Sequence, residues 1–366
     1  MASHSTNSTV LYVGTYTEPE GSKSEGIYSY RMDPSSGQLT FDRVVKGIIN
    51  PSFLAVHPGQ NFLYAVNEVQ NFNGQAGGAV SAFSVNGSSG ELTPINEQAS
   101  HGTDPCYISI EQTGRFAMVA NYSSGSVAMF PIHPDGSLGE ATDVVQHSGS
   151  SVHPERQTEA HAHCILPDPL NRFAIAIDLG LDKLIIYQMD LEHGKLQFHH
   201  EVNVHPGAGP RHLIFHPNGQ YAYLINELDA TVCVYRYHAD DGTFEELQTT
   251  STLPEDFKGE NLCADIHISP NGRFLYGSNR GHDSIVCFLI EESTGRLSLI
   301  GHMLTGGRKP RNFVLDASGT FLLVANQKTN NIVTFKIDPV TGQLIETEYQ
   351  AAVSMPVCLK FAYLKS

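Results

Sequence analysis

The chain has 366 residues, of which 40% are apolar and 16% charged, and this composition excludes a disordered chain because it supplies a large core. The formal net charge of -16 and the lack of any Lys/Arg run argue against nucleic acid and anionic membranes as partners. A small anion is not excluded, because a few converging arginines can bind one in a protein that is acidic overall.

The N-terminal segment MASHSTNSTV has neither the basic region nor the apolar stretch of a signal peptide. No apolar stretch of the sequence is long enough to span a bilayer. We therefore expect a soluble, cytoplasmic chain whose residues 1–10 are flexible. The six cysteines form no CxxC pair and fall within predicted strands, which favours buried free thiols over disulfides or metal ligands.

A repeated pattern runs through the chain. Turn segments such as HPNGQ and SPNGR recur at intervals of 47 to 57 residues, a period typical of propeller blades. The first residues of these turns serve as anchors: His57, Glu111, Asp168, His216, Ser269 and Asp316. Ten residues after each anchor stands an Asn or, once, an Asp: Asn67, Asn121, Asp178, Asn226, Asn279 and Asn326.

Each repeat contains four predicted strands, rich in β-branched and aromatic residues and separated by Gly/Asn/Asp turns. The chain starts with a second strand, LYVGTY, and ends with an isolated first strand, PVCLKF. Joined together, these ends complete a seventh unit and leave no free sheet edge. The sequence therefore predicts an all-β fold: one domain over residues 1–366, a seven-bladed β-propeller of four-stranded antiparallel blades closed by the N- and C-terminal strands.

Two positions of the repeat should lie on one rim of the central channel, because the first strand begins where the antiparallel second strand ends. Five residues before the anchors stand Ser52, Cys106, His163, Arg211, Ala264 and Arg311, with Val357 in the closing strand. Eleven residues after the anchors stand Glu68, Tyr122, Leu179, Glu227, Arg280 and Gln327, with Tyr16 in the blade that opens the chain. A purely structural position would hold similar residues in every blade. The variation at these two positions therefore indicates a functional site at this mouth of the central channel.

Three arginines, two glutamates and a histidine at one mouth suit a small anionic ligand that undergoes proton transfer. A structural ion pair is the alternative for Arg211 and Glu227 taken alone. The repeated Asn is interpreted as turn chemistry, with its side chain binding nearby backbone. His57 and His216 are interpreted as structural parts of the repeated turn.

A metal site is a further possibility, because His161 and His163 in EAHAHC lie two residues apart on one face of a strand. No third ligand is marked by its spacing. We therefore favour His163 as an acid or base, with His161 supporting it, over a zinc site. Calcium held by Glu and Asn in the channel is another alternative, but the Asn residues already have a structural explanation. We expect neither metal nor cofactor.

Several segments resemble the seven-bladed lactonase family: GPRHLIFHPNGQYAYLINEL, FKGENLCADIHISPNGRFLYGSNRGHDSI, KPRNFVLDASGTFLLVANQ and the closing PVCLKF. That family includes bacterial propeller-type 6-phosphogluconolactonases and fungal carboxymuconate-cyclising enzymes, and the resemblance covers essentially the whole chain. It implies a site formed by His163, Arg211, Glu227 and Arg280. FKGEN and NRGHDSI resemble the bacterial branch, which implies hydrolysis of 6-phospho-D-glucono-1,5-lactone in the pentose phosphate pathway.

For this reaction we expect Glu227 or His163 to be the general base. Arg211 is expected nearest the carbonyl group, and Arg280 or Arg311 at the phosphate.

Glu68, Tyr16 and Glu260 are expected to hold sugar hydroxyls. A carboxymuconate-type cycloisomerase, or a lactonase for another sugar acid, is the alternative within the family. A non-enzymatic protein-binding propeller is the alternative of another class, although the repeats lack a GH…WD signature and the chain has no Trp. We expect no obligatory protein partner.

Overall fold

The computed structural model describes residues 9–364, which form β-strands joined by turns and loops. This range contains no helix of the length and apolarity needed to cross a membrane. The strands form seven four-stranded sheets and one two-stranded hairpin, with antiparallel pairing throughout. The predicted all-β, seven-bladed propeller is confirmed.

The strands are numbered in chain order. The chain opens with β1 (Thr9–Thr15), β2 (Gly26–Met32) and β3 (Leu39–Lys46). Blade 1 contains β4 (Phe53–Val56), β5 (Phe62–Asn67), β8 (Ala79–Val85) and β9 (Leu92–Ala99), with the hairpin β6 (Asn71–Phe72) and β7 (Gln75–Ala76) inserted. Blade 2 contains β10 (Pro105–Ile110), β11 (Phe116–Asn121), β12 (Ser126–Pro131) and β13 (Asp143–Gln146). Blade 3 contains β14 (Ala162–Pro167), β15 (Phe173–Asp178), β16 (Lys183–Asp190) and β17 (Lys195–Asn203).

Blade 4 contains β18 (Pro210–Phe215), β19 (Tyr221–Asn226), β20 (Thr231–His238) and β21 (Thr243–Ser251). Blade 5 contains β22 (Leu262–Ile268), β23 (Phe274–Arg280), β24 (Ser284–Ile290) and β25 (Leu297–Leu304). Blade 6 contains β26 (Pro310–Leu315), β27 (Phe321–Asn326), β28 (Asn331–Ile337) and β29 (Leu344–Ala352). The last strand is β30 (Pro356–Tyr363).

The ring closes in the predicted way, because β30 pairs with β1 and completes the sheet β3-β2-β1-β30. Residues 1–8 of the segment expected to be flexible lie outside the described residues. Thr9 and Val10, the last two residues of that segment, begin β1 instead. Val10 is fully buried and pairs with Arg31 on one side and Ala362 on the other.

The core lies between the blades, and the strands differ in burial accordingly. The second strand of blade 2, Phe116–Asn121, is buried at every position because neighbouring blades pack against both of its faces. The fourth strand of blade 3, Lys195–Asn203, is exposed at most of its positions, as expected at the outer edge of a sheet. The second strands are therefore the most buried and the outermost strands the least buried.

In most blades the repeated Asn or Asp ties the blade to the connection that leads into it, whereas Asn226 of blade 4 donates to Thr231 Oγ1 at 2.8 Å and to Cys233 Sγ at 3.2 Å. The Asn67 side-chain amide donates to the carbonyl oxygen of Ile49 at 2.9 Å, and the equivalent contact recurs in blades 5 and 6. Asp178 takes this position in blade 3, where its carboxylate accepts a hydrogen bond from the His161 backbone at 2.8 Å. Outside blade 4, these contacts confirm that the repeated side chain binds nearby backbone.

The turn histidines link neighbouring blades. His57 Nε2 lies 3.0 Å from the carbonyl oxygen of Gly114, and His216 Nε2 lies 2.9 Å from that of Gly272. Each acceptor belongs to the equivalent turn of the following blade. These contacts agree with the structural interpretation of both histidines.

Candidate active site

The first predicted rim position is occupied by bulged residues. In blades 2, 3, 4 and 6 the pairing between the first and second strands shifts register around one residue near the start of the first strand. The residues left out of the ladder are Cys106, His163, Arg211 and Arg311. Because a β-bulge re-aims the side chain of the extra residue, the repeat geometry itself directs these four towards the channel mouth.

A cavity of about 300 Å³ opens at this mouth. All but two of its lining residues occupy the two predicted rim positions; the lining consists of Glu68, Cys106, Tyr122, Arg156, His163, Glu227, Leu262, Arg280 and Arg311. A cavity of about 350 Å³ on the outer side of blade 1 is lined by apolar residues, Ser81, Asn96 and Glu97, without any cationic group. The cavity at the channel mouth therefore differs from the cavity on blade 1 in having several cationic side chains in its lining.

Glu227 is the centre of an ion-pair cluster and is only 3% exposed. Its Oε2 accepts hydrogen bonds from Arg211 Nε at 2.9 Å and from Arg280 Nη2 at 2.7 Å. Its Oε1 accepts one from Arg156 Nη2 at 2.7 Å. Burial alone would raise the carboxyl pKa, but the three guanidinium groups outweigh burial and hold the pKa of Glu227 far below its ordinary value. Glu227 is therefore a carboxylate at neutral pH.

Arg211 lies behind Glu227 and is not among the residues that line the cavity. It is 2% exposed, and its Nη1 donates to the carbonyl oxygen of Ala264 and approaches His212 Nε2 at 3.2 Å. The structure thus joins Arg211 to Glu227, as the sequence predicted. The expected contact between Arg211 and a substrate carbonyl stays a prediction, since Arg211 is not among the residues that line the cavity and its Nε and Nη1 are bonded within the protein.

Arg280 is the second fixed guanidinium of the cluster, but it does reach the cavity wall. Besides Glu227, its Nη2 donates to the carbonyl oxygen of Cys263 at 2.8 Å. Burial lowers the pKa of Arg280 to about 10, against the opposing effect of Glu227, and the group remains charged at neutral pH.

A second layer of polar residues adjoins Arg211 and His163, with the His163 and His212 ring centroids 5.3 Å apart. His212 Nδ1 lies 2.9 Å from Asp265 Oδ1, and His267 Nε2 lies 3.0 Å from the other oxygen of that carboxylate. Burial, followed by the charge of Arg211, lowers the pKa of His212 to about 4. His212 is therefore neutral, donates through Nδ1 to Asp265 and accepts from Arg211 through Nε2. The sequence analysis missed this layer, although it occupies the repeat position next to the rim.

His163 reaches the cavity between the two charged regions and is 4% exposed. Burial and the charges of Arg211 and Arg311 place the pKa of this imidazole well below its ordinary value. Its Nδ1 lies 3.7 Å from the Cys106 thiol, and no partner for Nε2 is found within residues 9–364. A neutral imidazole with one unbonded nitrogen at a cavity can accept a proton.

The opposite side of the cavity carries less ion pairing. Arg311 stacks over the Tyr16 ring at 5.5 Å and makes no salt bridge with any residue of the described range. The Tyr16 hydroxyl donates to Glu68 Oε1 at 2.8 Å, whereas Glu68 Oε2 is buried without a partner in that range. Burial raises the pKa of Tyr16 above its ordinary value, so the phenol stays neutral. Here a charged guanidinium without a salt bridge lies on the cavity wall, and one carboxylate oxygen lacks a hydrogen-bond partner within residues 9–364.

Four predicted residues do not line the cavity: Arg211 and Tyr16, which contact lining residues, and His161 and Glu260. His161 stacks on Tyr122, with ring centroids 4.6 Å apart, and its Nδ1 contacts the Tyr122 carbonyl oxygen at 3.1 Å. It thus supports the cavity wall. Glu260 is exposed to solvent and is not part of the lining. Residues 9–364 contain no group of three or more His, Cys, Asp or Glu side chains arranged to hold a metal ion.

Arg156 is the cavity residue that the repeat analysis missed. It belongs to the segment 147–161 between blades 2 and 3, and it has no counterpart in the repeat. The length of this segment could have indicated a functional role. It is the longest connection between successive blades in the described chain, and long ordered loops are often functional.

Comparison with known proteins gives consistent results. Residues 10–361 match the family described as lactonase, 7-bladed beta-propeller. The 6-phosphogluconolactonase of Bacillus subtilis (strain 168) is 38% identical, over 96% of this chain and 98% of that protein. The structure described as a putative 6-phosphogluconolactonase from Bacteroides fragilis superposes with a TM-score of 0.90 at 37% identity, covering 99% of each chain. The Pseudomonas aeruginosa periplasmic gluconolactonase gives a TM-score of 0.92 at 36% identity, covering 98% of this chain and 100% of that one.

Proposed function

The chain belongs to the family of seven-bladed β-propeller lactonases, and from this premise we propose that it hydrolyses 6-phospho-D-glucono-1,5-lactone to 6-phosphogluconate. Membership confirms the resemblance seen in the sequence. The observation that carries the choice of substrate is the charge of the cavity region, where four guanidinium groups meet two carboxylates: Arg156, Arg211, Arg280, Arg311, Glu68 and Glu227. An excess of positive charge suits a phosphate ester.

His163 is the general base of the proposed reaction. A base is most effective when its pKa lies near the working pH, and Glu227, held far below its ordinary pKa by three arginines, is too weak. The pKa of His163 is also depressed, partly by Arg211 and Arg311. A bound phosphate would offset this positive charge and move the pKa of His163 back towards neutrality.

In the reaction, His163 takes a proton from water as the water oxygen bonds to the lactone carbonyl carbon. The carbonyl oxygen becomes an oxyanion, which Arg280 stabilises, because its position is fixed in advance by Glu227 and the Cys263 carbonyl. The bond between the carbonyl carbon and the ring oxygen then breaks, and the ring oxygen receives the proton from His163. Glu227 serves to hold Arg211 and Arg280 in place.

Arg311 binds the phosphate group, because it is the cavity guanidinium without a salt bridge in the described part of the chain. Planar guanidinium groups match the oxygens of a phosphate in a bidentate manner. Glu68 Oε2, buried without a partner in the same range, accepts a sugar hydroxyl, and Tyr16 fixes the other oxygen of that carboxylate. The proposal requires no cofactor, and it places the enzyme in the cytoplasm and in the pentose phosphate pathway.

Unphosphorylated gluconolactone is a second candidate substrate, favoured by the similarity to the Pseudomonas aeruginosa periplasmic gluconolactonase. The excess of cationic groups argues for the phosphorylated substrate, since a neutral sugar lactone offers Arg311 no anionic group with which to form a salt bridge.

The direct test is hydrolysis of freshly generated 6-phosphogluconolactone, compared with unphosphorylated gluconolactone and repeated with a chelator present. We expect rapid, chelator-resistant turnover with a clear preference for the phosphorylated lactone. Equal or greater turnover of gluconolactone would favour the second candidate, and no rate above the spontaneous reaction with either lactone would overturn the proposed function.

A further inference from the structure

Arg156 differs from the other two arginines that bind Glu227. The Arg211 and Arg280 side chains are 3% and 9% exposed, whereas that of Arg156 is 32% exposed. Arg211 and Arg280 also donate to backbone carbonyl oxygens, while Arg156 donates only to two side chains, the Glu227 carboxylate and the Tyr122 hydroxyl at 3.0 Å. Of the three guanidinium groups, Arg156 is the one held least firmly.

The backbone that carries Arg156 is firmly held, so movement would be confined to the side chain. Gln157 is fully buried, and its amide donates to the Leu179 carbonyl oxygen at 2.9 Å and accepts from the His153 backbone at 3.0 Å. Ser151 Oγ donates to Asp182 at 2.6 Å. A rotamer change of Arg156 is therefore possible without any rearrangement of the loop.

Departure of Arg156 from Glu227 would leave no buried charge unpaired. Glu227 Oε2 would keep both Arg211 and Arg280, which compensate the carboxylate from behind. The Arg156 guanidinium is 32% exposed and stays partly hydrated when it changes partner, and the buried Glu227 carboxylate keeps two guanidinium partners. Exchange of this partner for another anion therefore costs little.

We propose that Arg156 recognises the phosphate group of the substrate by exchanging Glu227 Oε1 for a phosphate oxygen. The Glu227 oxygen that it vacates then accepts a hydroxyl group of the sugar. Arg156 and Arg311 both line the cavity, and together they supply two guanidinium forks for one doubly charged group. With an unphosphorylated lactone, Arg156 stays on Glu227. This inference rests on the proposed function and makes Arg156 a determinant of specificity.

The experiment compares the unmodified protein with Arg156→Gln and with Arg296→Gln as a matched control, because Arg296 is an exposed arginine in the turn between β24 and β25. For Arg156→Gln we expect kcat/KM for 6-phosphogluconolactone to fall about 10- to 100-fold, the range of a lost hydrogen bond to a charged group. For gluconolactone, kcat/KM should stay the same or rise slightly. Arg296→Gln should change neither value.

Calorimetry supplies a readout other than activity. The affinity for the product 6-phosphogluconate should fall by a similar factor in Arg156→Gln, and the affinity for gluconate should be unchanged. If Arg156→Gln does not fold, Arg156→Met keeps an unbranched apolar stem without the charge, and the same results are expected from it.

An unchanged preference for the phosphorylated ligands would overturn the role of Arg156 while leaving the proposed function intact. An equal loss on both lactones would also overturn it, since Arg156 would then act only through Glu227. If the unmodified protein hydrolyses neither lactone, the proposed function fails separately. Binding of inorganic phosphate then decides: weaker binding by Arg156→Gln supports the role of Arg156, and equal binding overturns it.

Discussion

The two sides of the channel mouth use the same residue types in different ways. On one side, Glu227 is surrounded by three arginines at 2.7 to 2.9 Å. On the other side, Arg311 has no salt bridge in the described range, and one oxygen of Glu68 has no hydrogen-bond partner there. On the first side Arg211 and Arg280 hold the buried Glu227 in place and Arg156 is the partly exposed, exchangeable partner, whereas on the second side the ionic groups form no salt bridge within the described residues.

This difference indicates that the two sides of the cavity have different roles. The paired side builds a fixed electrostatic wall, with Arg280 at the cavity and Arg211 behind it. The unpaired side supplies Arg311, which forms no salt bridge within the described residues and can form one with an anionic ligand. His163 lies between the two sides, and its pKa is depressed by arginines from both. The following predictions test whether the two sides are as different as their contacts suggest.

The largest expected effect is that of His163→Ala on turnover. Loss of a general base lowers kcat by about 100- to 10,000-fold. The thermal unfolding temperature should change little, because the polar contact that the imidazole makes within residues 9–364 is a weak one, at 3.7 Å from the Cys106 thiol. Steady-state kinetics and a thermal melt on the same sample check both statements, and a melt lowered by many degrees would instead mark His163 as structural.

Glu227→Gln should lower the free energy of unfolding much more than Glu68→Gln does, because the two carboxylates are paired differently. Removal of the Glu227 charge leaves buried arginines uncompensated, and breaking a buried ion pair costs about 3 to 5 kcal/mol. Glu68→Gln should cost less than about 1 kcal/mol, because this carboxylate makes one hydrogen bond to Tyr16 and no salt bridge within residues 9–364. Denaturant unfolding measures both. Equal losses of unfolding free energy would contradict the comparison.

The pH dependence of kcat/KM should reflect the pKa of His163, which charged groups on both sides of the cavity lower. The groups that face this imidazole are Arg211, His212, Arg311, Cys106 and Tyr122. Because the neutral form is the active base and its pKa is depressed, kcat/KM should stay constant from neutral pH to below pH 6.5 and fall only in more acidic solution. Arg311→Gln removes a positive charge, raises the pKa of His163 and should move this fall to higher pH. A fall that stays in place would argue against the influence of Arg311.

The smallest expected effect is that of Tyr16→Phe, which removes one hydrogen bond from Glu68 Oε1. A single uncharged hydrogen bond contributes about 0.5 to 1.5 kcal/mol, so KM for the lactone should rise between about 2- and 10-fold, with kcat nearly unchanged. A large fall in kcat would place Tyr16 in the chemical step.

The repeat in the sequence was sufficient to predict the fold and many of the residues at the channel mouth. It predicted where His163, Glu227 and Arg311 would meet, because equivalent positions of a propeller converge on one channel. It could not show that Arg211 is absent from the cavity lining, since that depends on how a long side chain finds partners such as Glu227 and the Ala264 carbonyl. It also could not show Arg156, which comes from a connection without a repeated equivalent, or the exposure of Glu260.

A crystal structure with bound 6-phosphogluconate tests the central claim most directly. We expect the phosphate within hydrogen-bond distance of Arg311, the carboxylate end of the product against Arg280 and His163, and Glu227 still paired with Arg211. A phosphate bound away from Arg311, or a product outside the channel mouth, would contradict the account.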